Sequence, residues 1–209
     1  MSGERLNENK MVKILDVCYD KALDGIPLVS ESVEELGNEY INKYGRTDLA
    51  ISKLVNTQIA KCGTSGFLTG LGGMITLPIS VPANISSVIY VQLRMIATIA
   101  YIRGFNPKDD EVRTCAYVCL TGKAMSDVLK ETGIKTANKL ALNMVKKIPG
   151  ATLTKINQKV GFRLVTKFGE KGVINLGKAI PLVGGFIGGG FDVATTKTIS
   201  NNAKNMFNI

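Results

Sequence analysis

The sequence predicts an all-α fold, a single helical bundle of about seven to eight helices. Three observations carry this. Apolar residues recur at spacings of three and four along most of the chain, the period of a helix with one buried stripe. No stretch sustains the apolar–polar alternation of a half-buried strand. Capping residues and glycines punctuate the ends of the periodic stretches. With 209 residues, 45% hydrophobic and 21% charged, the chain has enough apolar material for a core and too little charge for wholesale disorder.

In order along the chain, Met11, Ile14, Leu15, Cys18, Ala22 and Leu23 share one helical face, which Asp24-Gly25-Ile26-Pro27 interrupts. Ser32 and Glu35 form a capping-box pattern. The helix they open turns Val33, Leu36, Tyr40 and Tyr44 inward and stops at Gly45. Asp48 is placed to cap the next, whose apolar face runs through Ile51, Leu54, Val55 and Ile59. From Cys62 to Leu93 no residue is charged. Pro78 and Pro82 divide that stretch, because a proline inside a helix removes a hydrogen bond and clashes with the preceding turn. Its second helix is expected from about Ala83 to Ile102, ending near Gly104.

Asn106 as N-cap and Pro107 at the first helical position open the following helix. Its face continues through Val112, Cys115, Ala116, Cys119, Leu120 and Leu129 to a stop at Gly133. Basic helices are expected at roughly 135–147 and 152–169, on either side of Pro149-Gly150. The last apolar element, AIPLVGGFIGGGFDVATTKTI, precedes a polar tail.

Histidine is absent, which removes Ser-His-Asp and Cys-His catalysis, histidine metal sites and the usual pH switch. Cys18, Cys62, Cys115 and Cys119 lie in apolar helical stretches and read as buried reduced thiols. Cys115 and Cys119 are one turn apart, but a structural zinc would add a Cys-x-x-Cys pair. No catalytic residue, metal or cofactor is therefore expected. The remaining enzymatic option is Lys123 with Asp127 one helical turn on, a spacing more typical of a surface ion pair. GVINLGKA (172–179) approaches a phosphate-binding loop, yet ends in alanine where a magnesium-binding hydroxyl belongs. The polar start MSGERLNENK has no signal-peptide pattern, so a cytoplasmic location is expected, peripheral to the membrane or conditionally inserted in it.

Three features point to lipid. Gly66, Gly70 and Gly73 share a helical face with Gly63, and Gly184 and Gly188 repeat the spacing. A helical glycine costs about 1 kcal/mol against alanine, which close helix–helix approach offsets, in a core or in a bilayer. Such faces also allow oligomerisation. Second, charge is unevenly divided: residues 1–60 carry 10 acidic and 7 basic side chains, and residues 61–209 carry 7 and 19. Lys155, Lys159, Arg163, Lys167 and Lys171 recur every four residues among apolar neighbours, a pattern shared by interfacial membrane helices and ordinary solvated faces. No recognition motif accompanies the charge, so nucleic acid is not an expected partner. Third, Arg94 lies inside an apolar helix and needs a partner, with Asp127 and Asp192 as candidates, or else a lipid head group.

GFLTGLGGMITLPISVPANISSVIYVQLRMIATIAYIRG (66–104) and GKAIPLVGGFIGGGFDVATTKTISNNAKNMF (177–207) together resemble the two signature blocks of the EcsC family. The likeness covers about residues 45–207 and defines residues 46–209 as an EcsC-like helical domain. Residues 1–45 form an N-terminal helical segment less typical of the family. The resemblance implies a helical protein and carries no catalytic residues. The matching positions are Gly70, Gly73, Pro78, Pro82, Gln92, Arg94, Pro181, Gly184 and Gly188.

The function expected from these features is non-enzymatic. The protein would bind lipid or insert its Gly-rich helices into anionic membranes, in one version as a pore-forming or membrane-perturbing effector. The residues expected to do so are Gly66, Gly70, Gly73, Arg94, Lys155, Lys159, Arg163, Lys167, Gly184 and Gly188. The alternative is a soluble interaction module acting on a membrane protein, such as an ABC transporter or secretion machinery.

Overall fold

The computed structural model describes residues 7–63, 83–123, 127, 128, 130, 149–168 and 186–208. These residues form seven helices and no named strand. The helices are α1 (Glu8–Asp24), α2 (Val33–Tyr44), α3 (Thr47–Gly63), α4 (Ala83–Ile102), α5 (Asp110–Leu120), α6 (Gly150–Phe168) and α7 (Phe186–Met206). The expected helix at 135–147 and the phosphate-loop-like GVINLGKA lie outside the described residues.

Local chemistry fixes most of the helix ends. Asn7 caps α1 by accepting from the Lys10 amide at 2.9 Å. The capping box of α2 is complete: Ser32 Oγ accepts from the Glu35 amide, and the Glu35 carboxylate accepts from the Ser32 amide. Gly45 closes that helix in the left-handed conformation, its amide on the Ile41 carbonyl.

Four expected boundaries move. α3 begins at Thr47, ahead of Asp48, and the Asp48 carboxylate instead accepts from Arg103 at 2.8 Å. Asn106 does not cap a helix at Pro107. Its side chain accepts from the Lys108 amide and donates to Asp109, making a turn that delays the start of α5 to Asp110. α5 also stops early, at Leu120, because Gly122 follows at φ +78°. Lys123 lies in the turn beyond it. The polar C-terminal segment is helical through Met206, held by buried Ala203 and Phe207.

The core is organised around α4. Every residue from Ser86 to Ala100 is buried, and α1, α2, α3, α5 and α7 all pack against this helix. A helix apolar on all sides needs such a surround or a bilayer, and here protein supplies it. Several polar groups on α4 have partners inside the bundle, although Gln92 Oε1 has none among the described residues. Gln92 Nε2 donates to Thr196 Oγ1 of α7 at 2.9 Å, and Thr98 Oγ1 donates to the Arg94 carbonyl at 2.7 Å. One continuous apolar cluster runs from Met11 to Phe207, so α1 and α2 share the core with the rest of the chain.

The α1–α5 seam combines packing with charge. Tyr117 donates to Asp16 at 2.7 Å, and Tyr19 donates to the Pro107 carbonyl at 2.9 Å. Their rings meet edge to face at 5.8 Å, the preferred aromatic geometry. Arg113 covers the Tyr19 ring and pairs with Asp20 at 2.8 Å. Cys18, Cys115 and Cys119 are buried and free. Burial pushes the Cys18 and Cys119 thiols up to about 12 and the Cys115 thiol well above its ordinary value.

α6 is an outer helix, packed on α1 and α5 through Leu153, Ile156, Val160 and Leu164. The approach to α1 is close at Gly161, where a β-carbon would stand 2.7 Å from the Glu8 carbonyl oxygen. This is the small-residue contact expected of the glycine-rich segments, made by a glycine outside them.

Candidate functional site

Two regions of the described surface carry charge in a form that could meet a ligand. The first is the outer face of α6. Its inner stripe is spent on α1 and α5, so the residues between point outward. Lys155 is exposed, Lys159 and Arg163 are half-buried, and Phe162 is 56% exposed. On a helix, residues three and four apart are neighbours. Lys155 therefore sits beside Lys159, Lys159 lies one turn before both Phe162 and Arg163, and Arg163 follows Phe162 in the chain. The helix thus carries one large aromatic ring left in water on the same element as a row of cations. Lys167 lies on the same helix, but its side chain is outside the described residues.

The second region is an open cleft of about 540 Å³ beneath the loop joining α1 to α2. The loop is folded tightly on itself: the Ile26 amide donates to the Ser30 carbonyl, and the Ser30 amide donates back to the Ile26 carbonyl, both at 2.9 Å. Ser30 Oγ is hydrogen-bonded to the Tyr90 hydroxyl of α4. At the tip, Leu28 is fully exposed and has φ +65°, a conformation that costs a side-chain-bearing residue about 1 kcal/mol or more. Gly25 sets the turn at φ +80°.

Arg94 lies at the floor of this cleft, its side chain only 3% exposed. Asp127 is exposed and the Asp192 side chain lies outside the described residues. Among the described residues the partner is Glu31. Its backbone carbonyl accepts from Arg94 Nη2 at 2.7 Å and Nε at 3.2 Å, and its carboxylate lies 3.5 Å from Nη2. Backbone oxygen thus supplies most of the compensation a buried guanidinium needs. Nothing in the sequence marked Glu31, since the pairing joins a loop to a distant helix and uses a main-chain atom. Lys61, half-buried near the end of α3, also lines the cleft. Burial and then the neighbouring Arg94 charge hold its ammonium below the usual lysine range, against the opposing pull of Glu31 and Glu39.

The expected site residues therefore separate. Lys155, Lys159 and Arg163 come together on α6, whereas Arg94 belongs to α4 and the cleft. Gly188 lies in α7. Gly66, Gly70, Gly73 and Gly184 lie outside the described residues. Among the described residues no group of three or more carboxylates or thiols is placed to hold a metal ion.

These features define the class: an all-α bundle around one enclosed helix, with a basic outer helix and a cleft floored by arginine. The chain belongs to the EcsC protein family, whose model matches residues 7–209. The match takes in α1 and α2 along with the rest of the bundle. No curated protein and no solved structure matches the chain.

Proposed function

We propose that this protein is a non-enzymatic membrane-surface protein, docking on anionic lipid through the outer face of α6. The observation that carries the reading is Phe162, largely exposed on a helix that also carries Lys155, Lys159 and Arg163, with Lys159 one turn before it. Cations draw such a face to a negative surface, each contributing about 1 kcal/mol near the membrane. The aromatic ring then enters the head-group layer and gives contact that salt does not screen.

Docking is favoured over insertion. Among the described residues no helix is long and apolar enough to cross a membrane. The most apolar described helix, α4, has its faces taken by five neighbours, so exposing it to lipid would dismantle the core. The same enclosure favours the second reading, an interaction module for a membrane protein, in which the α6 face meets acidic side chains instead of lipid.

Co-sedimentation with vesicles separates the two. Vesicles containing phosphatidylglycerol should pellet the protein at low salt, and phosphatidylcholine vesicles should not. The double variant Lys155→Gln/Lys159→Gln should weaken binding by about 2 kcal/mol, roughly thirtyfold. Unchanged affinity in that variant, or a protein that stays in the supernatant with every vesicle, would leave the lipid reading without support.

A further inference from the structure

The cleft under the α1–α2 loop is built for a ligand that the α6 face does not explain. Its floor holds two cations of different kinds: the guanidinium of Arg94, almost wholly buried, and the half-buried ammonium of Lys61. Arg94 donates to Glu31 through Nε and Nη2 alone. Among the described residues no acceptor faces its Nη1, although Arg94 lines the cleft. A buried guanidinium with a donor still available toward an open cavity is an anion-binding feature, because the fork geometry matches phosphate and carboxylate oxygens.

Three carboxylates also line the cleft, and their placement differs from that of the cations. Asp24 and Glu35 are exposed, and Glu35 is engaged by the Ser32 amide and hydroxyl. The Glu31 carboxylate is 58% exposed and is only 3.5 Å from the guanidinium it accompanies. Charges in water are screened, whereas those at a low-dielectric floor act at close to full strength. The depth of the cleft is therefore positive and its rim negative. Leu28 stands at the mouth, fully exposed in a strained conformation.

We infer that this cleft binds a phosphate group, seated between Arg94 and Lys61, with its carrier directed out past the rim. The negative rim disfavours carriers with further anionic groups and suits a neutral or amine-bearing one. Leu28 is positioned to meet an acyl or glyceryl portion. A lipid head group and a soluble phosphomonoester share this chemistry. The site stands apart from the α6 face and does not depend on it.

The test is calorimetric titration of the full chain with glycerol phosphate, phosphoethanolamine and monomeric dihexanoyl phosphatidic acid. At least one should bind, and Lys61→Gln should weaken that binding tenfold or more. Arg94→Lys should weaken it as well, with urea denaturation confirming that each variant is folded. The Lys155→Gln/Lys159→Gln variant should bind as the unmodified protein does, which separates this site from the α6 face. Binding of the dihexanoyl lipid alone assigns the site to a lipid head group. Comparable binding of the soluble phosphates assigns it to a free metabolite. Absence of binding by all three, or unchanged affinity in a folded Lys61→Gln variant, would overturn the inference.

Discussion

Gly25→Ala is expected to lower the unfolding free energy by about 3 kcal/mol, a large effect for one added methyl group. Two costs combine. Gly25 has φ +80° and ψ 177°, a region open essentially to glycine, and forcing another residue into it costs about 1–3 kcal/mol. A β-carbon there would also stand 2.6 Å from the Ser30 carbonyl oxygen and 2.8 Å from backbone atoms of Glu31 and Ser32. Backbone cannot turn aside as a flexible side chain can, and overpacking of this kind costs about 1–3 kcal/mol more. The displaced segment contains the Glu31 carbonyl that receives Arg94 and the serine that caps α2. Urea denaturation checks the prediction. A variant within 0.5 kcal/mol of the parent, about the range of a neutral surface change, would contradict the account of this loop.

Stability should also fall steeply in mild alkali. Burial raises the folded-state pKa of Cys18, Cys115 and Cys119 above the ordinary value of 9.0. A raised pKa means that the folded state keeps its proton while the unfolded chain gives it up. The stabilisation is whole below pH 9. It is lost as pH rises from there toward the folded value, about 12 for Cys18 and Cys119. At pH 10 the unfolded chain has largely lost these protons and the folded one has kept them, a cost of about 1 kcal/mol each for Cys18 and Cys119, with Cys115 acting in the same direction. Tyr19 and Tyr117, raised chiefly by burial, extend the loss above pH 10. Denaturation midpoints between pH 7 and pH 10.5, under reducing conditions, give the slope directly. A flat profile to pH 10 would show that these thiols reach water in the native state.

The parts of the fold legible in the sequence are those set by neighbours in the chain. The face of α1, the Ser32–Glu35 box, the Gly45 stop and the span of α4 all follow from short-range periodicity and capping. The mistakes share a cause. Asp48 and Asn106 are good caps by type, yet Asp48 is drawn to Arg103 and Asn106 to the turn it closes with Lys108 and Asp109. The segment after AIPLVGGFIGGGFDVATTKTI reads as a polar tail because its polar residues hide Ala203 and Phe207, which are buried. Such choices depend on what another element offers.

The candidate sites divide along the same line. The basic spacing on α6 was readable because one helix carries it. The exposure of Phe162 was not, since it depends on which stripe α1 and α5 cover. The Arg94 cleft was half readable: an arginine in an apolar helix signals a partner, but a main-chain carbonyl 63 positions earlier leaves no compositional trace. Lys61 and Leu28 matter through position alone.

The central claim, that α6 meets an anionic membrane surface, can be tested at the contact itself. The chain has no tryptophan, so Phe162→Trp places a single, selectively excitable indole where contact is expected. With vesicles containing phosphatidylglycerol, its emission should shift to the blue and be quenched by brominated acyl chains. High salt should weaken both effects, and phosphatidylcholine vesicles should produce neither. Emission that stays water-like with every vesicle, from a variant shown to be folded, would contradict the account and favour a protein partner for this face.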